Sequence, residues 1–215
     1  TVAEVDSMRT SPKLRGLLWP VLAASTLVVL LRAATAWSQA GEWFEADTAG
    51  FVVLSSGGSA SAMEVAGALE AFRQAFARLV PNARTEPLAP AIVLAFDRFE
   101  SYEPFAPVFA GRAVRVAGSF IGSARANYLV LTLDQPEKAW TVAFHELTHL
   151  IVSQTLVKPP TWFNEGIAEF YSTFRTTATD GDVELGHVIP DHLLLLRRDP
   201  WIPLDELLTV SADSS

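Results

Sequence analysis

The 215-residue chain contains no cysteine. That excludes a disulfide framework, a thiolate metal site and a cysteine nucleophile, so any metal must be held by histidine and carboxylate. A cationic surplus is missing too: 16 Lys and Arg stand against 24 Asp and Glu, a formal net charge of −8. No nucleic-acid partner is expected on that balance. Only 19% of residues are charged and 50% are hydrophobic, which argues against disorder and for one domain with a proper core. No internal repeat or low-complexity linker interrupts it. Histidine is scarce, with four in the chain, and two of them fall in one pentapeptide.

Long hydrophobic runs are also lacking. The uncharged stretch from Gly16 to Leu31 is shorter than the roughly 20 residues that a comfortable membrane span needs. Arg9, Lys13 and Arg15 precede it, and Ala34-Thr35-Ala36 follows as a small-x-small cleavage site, with Ser38 and Ala40 as alternatives. This is the pattern of a secretory signal. Residues 1–36 are expected to be a signal peptide or, if uncleaved, an N-terminal membrane anchor attached through residues 14–36. Arg32 shortens any span and favours cleavage. Residues 37–215 are then an acidic extracytoplasmic domain, whether secreted, periplasmic or membrane-anchored. Residue 1 is threonine, Met8 could be an initiator, and Ser211 to Ser215 read as an open loop. The chain is expected to be a fragment, truncated at its C-terminus.

Within that domain, Phe51 to Leu54 is a strand signal closed by Gly57-Gly58. Ser59 to Val80 is helical, with Met63, Ala66, Leu69, Phe72, Phe76 and Leu79 recurring at threes and fours. Ser59 or Ser61 can cap it. Pro90 to Phe96 is a buried strand, and Phe99 to Arg112, with Pro104, Pro107 and Gly111, reads as irregular. Val114 to Ile121 and Asn127 to Leu133 are two further strands joined by a turn at Gly122-Ser123. From Glu137 onward the chain is mainly helical. The expected fold class is α+β: an N-terminal mixed sheet with a packed helix, then a mainly helical part.

That helical part opens with a run, AWTVAFHELTHLIVSQTLV, that is apolar almost all round and so marks a buried helix. Its polar residues are not scattered. Thr141, His145, His149 and Ser153 are spaced by four and line one stripe, and Glu146 lies about 100° round from His145. Two imidazoles one turn apart can bind one ion from the same side, and a glutamate beside the metal can take a proton from water. Chance places HExxH in a chain of this composition roughly 0.005 times, and burying these polar groups without a partner or a purpose would cost several kcal/mol.

A second cluster follows the double proline Pro159-Pro160: Trp162-Phe163-Asn164-Glu165-Gly166-Ile167-Ala168-Glu169-Phe170-Tyr171. Glu165 and Glu169 are four apart and share a helix face. Alone, such a pair is most often solvated. Gly166 costs helix stability, about 1 kcal/mol against alanine, which makes sense if another backbone or a metal comes close. Tyr171 lies about 240° round from Glu165 and is expected to face away.

HELTH followed by WFNEGIAEFY resembles the gluzincin metallopeptidases, the peptidase MA-like clan, and looks closest to an uncharacterised bacterial branch. The resemblance is specific over residues 139–175. It implies a zincin-like fold and a Zn²⁺ ion held by His145, His149 and Glu165. It implies Glu146 as general base in hydrolysis of a peptide or protein substrate. Glu169 and Asn164 are implied behind the ligands, with Glu169 orienting the first histidine. Enzymes of this clan use a later Tyr or His to stabilise the oxyanion. The later histidines here are His187 and His192, and the residue could also lie beyond position 215. The strand before the zinc helix, Ala126 to Leu133, is then either the edge that pairs with extended substrate or an ordinary core strand. The alternative to an enzyme is an inactive zinc-binding pseudo-peptidase that holds a peptide or cell-wall partner without cutting it.

Overall fold

Short runs rich in Val, Ile and Leu form the sheet at the front of the domain, and the alanine-rich segment between them forms a helix. The computed structural model describes residues 42–123, 125–177, 182–198 and 200–209. The expected leader, its expected cleavage site and the Ser211–Ser215 tail lie outside them. Among the described residues no helix is long and apolar enough to cross a membrane.

The chain begins with an antiparallel pair, Phe44–Asp47 (β1) and Val52–Ser55 (β2). A helix, Ser59–Leu79 (α1), crosses to Ala91–Phe96 (β3), which runs parallel to β2. Phe99–Tyr102 (α2), a single 3₁₀ turn and the two-residue strands Val108–Phe109 (β4) and Arg112–Ala113 (β5) fill the segment expected to be irregular. Gly118–Gly122 (β6) and Asn127–Thr132 (β7) form a hairpin. The helices Pro136–Thr155 (α3) and Thr161–Ser172 (α4) follow. Then come the short pair Arg175–Thr176 (β8) and Val183–Glu184 (β9), and last Pro190–Arg198 (α5) and Leu204–Thr209 (α6). The main sheet is mixed, five-stranded and ordered β1-β2-β3-β7-β6. The fold is α+β.

Strand alternation sorts the core into two layers. Val93 and Ala95 of β3 and Leu129 and Leu131 of β7 face the helices, where they meet Leu69 and Phe72 of α1 and Phe144, Leu147 and Ile151 of α3. Phe96 and Val130 face the other way and pack with Phe99, Tyr102 and Ala106. The rings of Phe72 and Phe144 stack at 4.9 Å, Phe76 and Tyr171 lie 4.3 Å apart, and Phe174 meets Phe144 edge-on at 5.1 Å. This aromatic joint binds α1, α3 and α4 directly behind the HELTH turn.

Several expectations need correcting. The buried stripe of α1 runs through Ala62, Val65, Ala66, Leu69, Phe72 and Phe76, so Met63 and Leu79 face outward. The helix is rotated so that alanines, not methionine, meet the sheet closely. Neither Ser59 nor Ser61 caps it: Gly58 is the N-cap with no side-chain bond, and the Ser61 hydroxyl instead accepts a hydrogen bond from that of Ser55. The strand expected from Val114 begins only at Gly118. A Cβ there would lie 2.6 Å from Leu131 Cδ2 and 2.8 Å from the Val130 carbonyl, so only glycine fits the point where β6 joins β7. β7 is an inner strand, and the sheet edge beside α3 is β6.

Candidate metal centre

Pro136 at the first position of α3 fixes its start, and Pro159-Pro160 prevents its continuation into α4. Lys158 takes a left-handed conformation, φ 52°, in the tight link between the two helices. α4 folds back against α3. Ala168 is fully buried and lies about 60° round from Glu165 on the α4 surface, so a small side chain occupies the buried face beside the glutamates.

That approach brings three donors from two helices together. His145 Nε2 and His149 Nε2 are 3.0 Å apart. Glu165 Oε2 lies 3.4 Å from His149 Nε2 and 3.7 Å from His145 Nε2. One ligand atom from each of His145, His149 and Glu165 falls within 4.8 Å of the others. Ligand atoms about 2.0–2.1 Å from a tetrahedral ion stand about 3.4 Å apart, so the trio could hold a metal ion after shifts of a few tenths of an ångström. The histidines are half-buried, whereas 57% of the Glu165 side chain is exposed, so the site opens to solvent on the α4 side.

Glu169 lies behind the trio. Its Oε2 is 3.0 Å from His145 Nδ1 and accepts that ring proton, which leaves the Nε2 lone pair directed at the metal position. Its Oε1 is 2.9 Å from His192 Nδ1, on α5. Glu146 is half-buried and has no hydrogen bond or ion pair among the described residues. It shares a face of α3 with Val142, one turn earlier, and Val142 Cγ1 comes within 3.2 Å of where a Cβ on Gly118 would be. The uncommitted carboxylate therefore faces the side of the helix nearest edge strand β6.

Other candidates are placed differently. The Asn164 amide has no hydrogen-bond partner among the described residues, and His149 Nδ1 is buried without one. One position before Glu165, Asn164 is turned about 100° from it on the helix. A Cβ on Gly166 would meet nothing within 4 Å, so no close approach explains that glycine. Tyr171 faces the aromatic joint, as its helical angle requires, and burial raises its pKa. His187 Nε2 lies 3.0 Å from Glu184 but is buried without a hydrogen bond, and the backbone N–H groups of Gly186 and His187 donate to the Thr173 hydroxyl. Thr173 and the His192–Glu169 contact were not singled out from sequence; both join segments far apart in the chain. A cleft of about 600 Å³ opens beside Thr141, on the Trp140–Phe144 side of α3, with His187 in its wall.

No protein-family model matches this chain, and no curated protein matches it.

Proposed function

We propose that the protein is a zinc-dependent peptidase of gluzincin type, acting outside the cytoplasm on extended peptide segments. The observation that carries this reading is the convergence of His145, His149 and Glu165 on one point, with Glu146, the residue after His145, uncommitted. Two imidazoles and one carboxylate, with no thiolate available, are the donor set of catalytic zinc, which keeps one position open. Zinc bound there would lower the pKa of its water to about 7 and polarise a carbonyl oxygen.

The chain's own groups supply the rest. Glu169 holds His145 in the tautomer that offers Nε2 to the metal. Glu146 accepts a proton from the attacking water and returns it to the leaving amine, a role worth about 10²- to 10⁴-fold in rate. The unpaired edge of β6 offers backbone groups to which an extended peptide can add as a further strand.

The test is metal content by mass spectrometry, together with hydrolysis of an unfolded protein substrate. Wild type should carry about one zinc per chain by this ligand set. Glu165→Ala should lose it, while Glu146→Gln should keep zinc and lose hydrolysis. Full activity in Glu146→Gln would sink the mechanism.

One observation favours a second reading, an inactive zinc-binding module that grips a peptide or cell-wall partner. Among the described residues each later Tyr or His has another neighbour: Tyr171 is in the core, His187 Nε2 is 3.0 Å from Glu184 and His192 Nδ1 is 2.9 Å from Glu169. Zinc retention with peptide binding but no cleavage, in wild type as in Glu146→Gln, would establish that reading.

A further inference from the structure

His192 offers more than a candidate for the oxyanion. It stands on α5, a helix with no buried residue, whose leucines Leu193 to Leu196 are 37–63% exposed. Apolar packing therefore contributes little to holding α5 where it is. Its histidine nevertheless reaches α4 and places Nδ1 2.9 Å from Glu169 Oε1, while Glu169 Oε2 takes the His145 ring proton at 3.0 Å. The hydrogen bond from His145 on one oxygen and the His192 ring nitrogen 2.9 Å from the other restrict the plane of that carboxylate. A single donor leaves it free to rotate about its last torsion, which is broad for glutamate. The carboxylate plane in turn sets the tilt of the His145 ring, and hence where its Nε2 lone pair points.

We propose that His192 is a positioning residue: through Glu169 it holds His145 in its metal-binding orientation, and it couples the docking of α5 to metal occupancy. This rests on the metal-site reading above. Coupling between two events is reciprocal, so if α5 docking favours metal binding, metal binding must favour α5 docking by the same factor. An imidazole acting on the reacting carbonyl behaves differently, because it changes turnover and leaves metal affinity alone.

The experiment measures zinc affinity by competition with a chromophoric chelator, and amide hydrogen exchange of α5 with and without zinc. The proteins are wild type, His192→Ala, His192→Asn and Glu165→Ala. Removing a group that supports a ligand from behind weakens metal binding by roughly 10- to 100-fold, and His192→Ala should fall in that range. His192→Asn, whose amide N–H can replace ring Nδ1–H, should recover most of the loss. Zinc should slow exchange in α5 of wild type and of His192→Asn, and leave it unchanged in His192→Ala. Wild-type affinity in His192→Ala, or α5 exchange indifferent to zinc in wild type, overturns the proposal while the metal site stands. Failure of the metal-site reading looks different: wild type itself then binds zinc no better than Glu165→Ala, and the role of His192 falls with it.

Discussion

The helices that carry the candidate ligands and the segment from residue 183 to 209 are held by different means. α3 and α4 together bury eleven residues, and the Phe72–Phe144 stack and the Phe76–Tyr171 contact clamp them to α1. The described residues between 183 and 209 include none that is buried. Histidine and glutamate positions at the candidate metal centre are thus set by the core, through Phe144 immediately before His145. The later segment's apolar hold is limited to the partly buried Val183 and Leu185, which pack against the core before α5 begins, so what α5 adds must arrive through polar contacts such as His192 to Glu169, which have strict geometry and modest net strength. A metal site needs ligand positions good to fractions of an ångström, and the more rigid region is the one that carries all three candidate ligands.

The largest test of this contrast is truncation in each region. Phe144→Ala removes a ring that touches Phe72, Trp140 and Phe174 and should cost about 3–5 kcal/mol. Trp201→Ala, at a side chain that is 77% exposed, should stay within about 0.5 kcal/mol. Urea denaturation of both variants gives the comparison directly, and equal costs would erase the distinction. Next in size is ligand linkage. Zinc at one hundred times its dissociation constant should stabilise the fold by about 2.7 kcal/mol, and Glu165→Ala should show almost none of that gain. Gly118→Ala comes third. Its methyl must displace Leu131 or the backbone of β7, so about 1–3 kcal/mol is expected, together with a shift of the edge strand that faces Glu146. A thermal melt alongside peptide affinity separates the two effects, and an unchanged melt would mean that β6 yields easily.

What the sequence made legible follows the same division. Helical spacing decides which residues share a face, so the stripe of His145 and His149 and the pair Glu165 and Glu169 could be read before any tertiary structure was known. The order of strands and helices was legible for the same local reason. The rotation of α1, which turns Met63 outward, was not, because hydrophobic periodicity admits neighbouring stripes and the close approach of Ala62 and Ala66 chooses between them. Sheet order was hidden too: β7 is the more apolar strand and so is covered on both sides, while β6, with glycine at each end, takes the edge. The contact between His192 and Glu169 spans two helices far apart in sequence, and nothing in the local pattern around His192 announces it.

The smallest test lies on α1, the third wall of the rigid region. Arg73 donates from Nε to Glu70 Oε2 at 3.0 Å and from a terminal nitrogen to Oε1 at 2.6 Å, and Gln74 adds a third bond at 2.8 Å. The pair is largely covered, with 12% and 16% of the side chains exposed. The hydrogen bond from Arg73 lowers the Glu70 pKa, against the opposing effect of burial. A carboxyl held below its unfolded value stabilises the fold above that unfolded value, near 4.5, and loses the contribution as pH falls through its folded pKa. Glu70→Gln should therefore cost about 1 kcal/mol at pH 7, and the gap to wild type should close once Glu70 is protonated in both states. Denaturant midpoints measured in steps from pH 7 down through the acid range measure it. A gap that stays the same size throughout would mean that the α1 wall is held by packing alone, with the Glu70–Arg73 pair contributing nothing to the support behind the candidate metal centre.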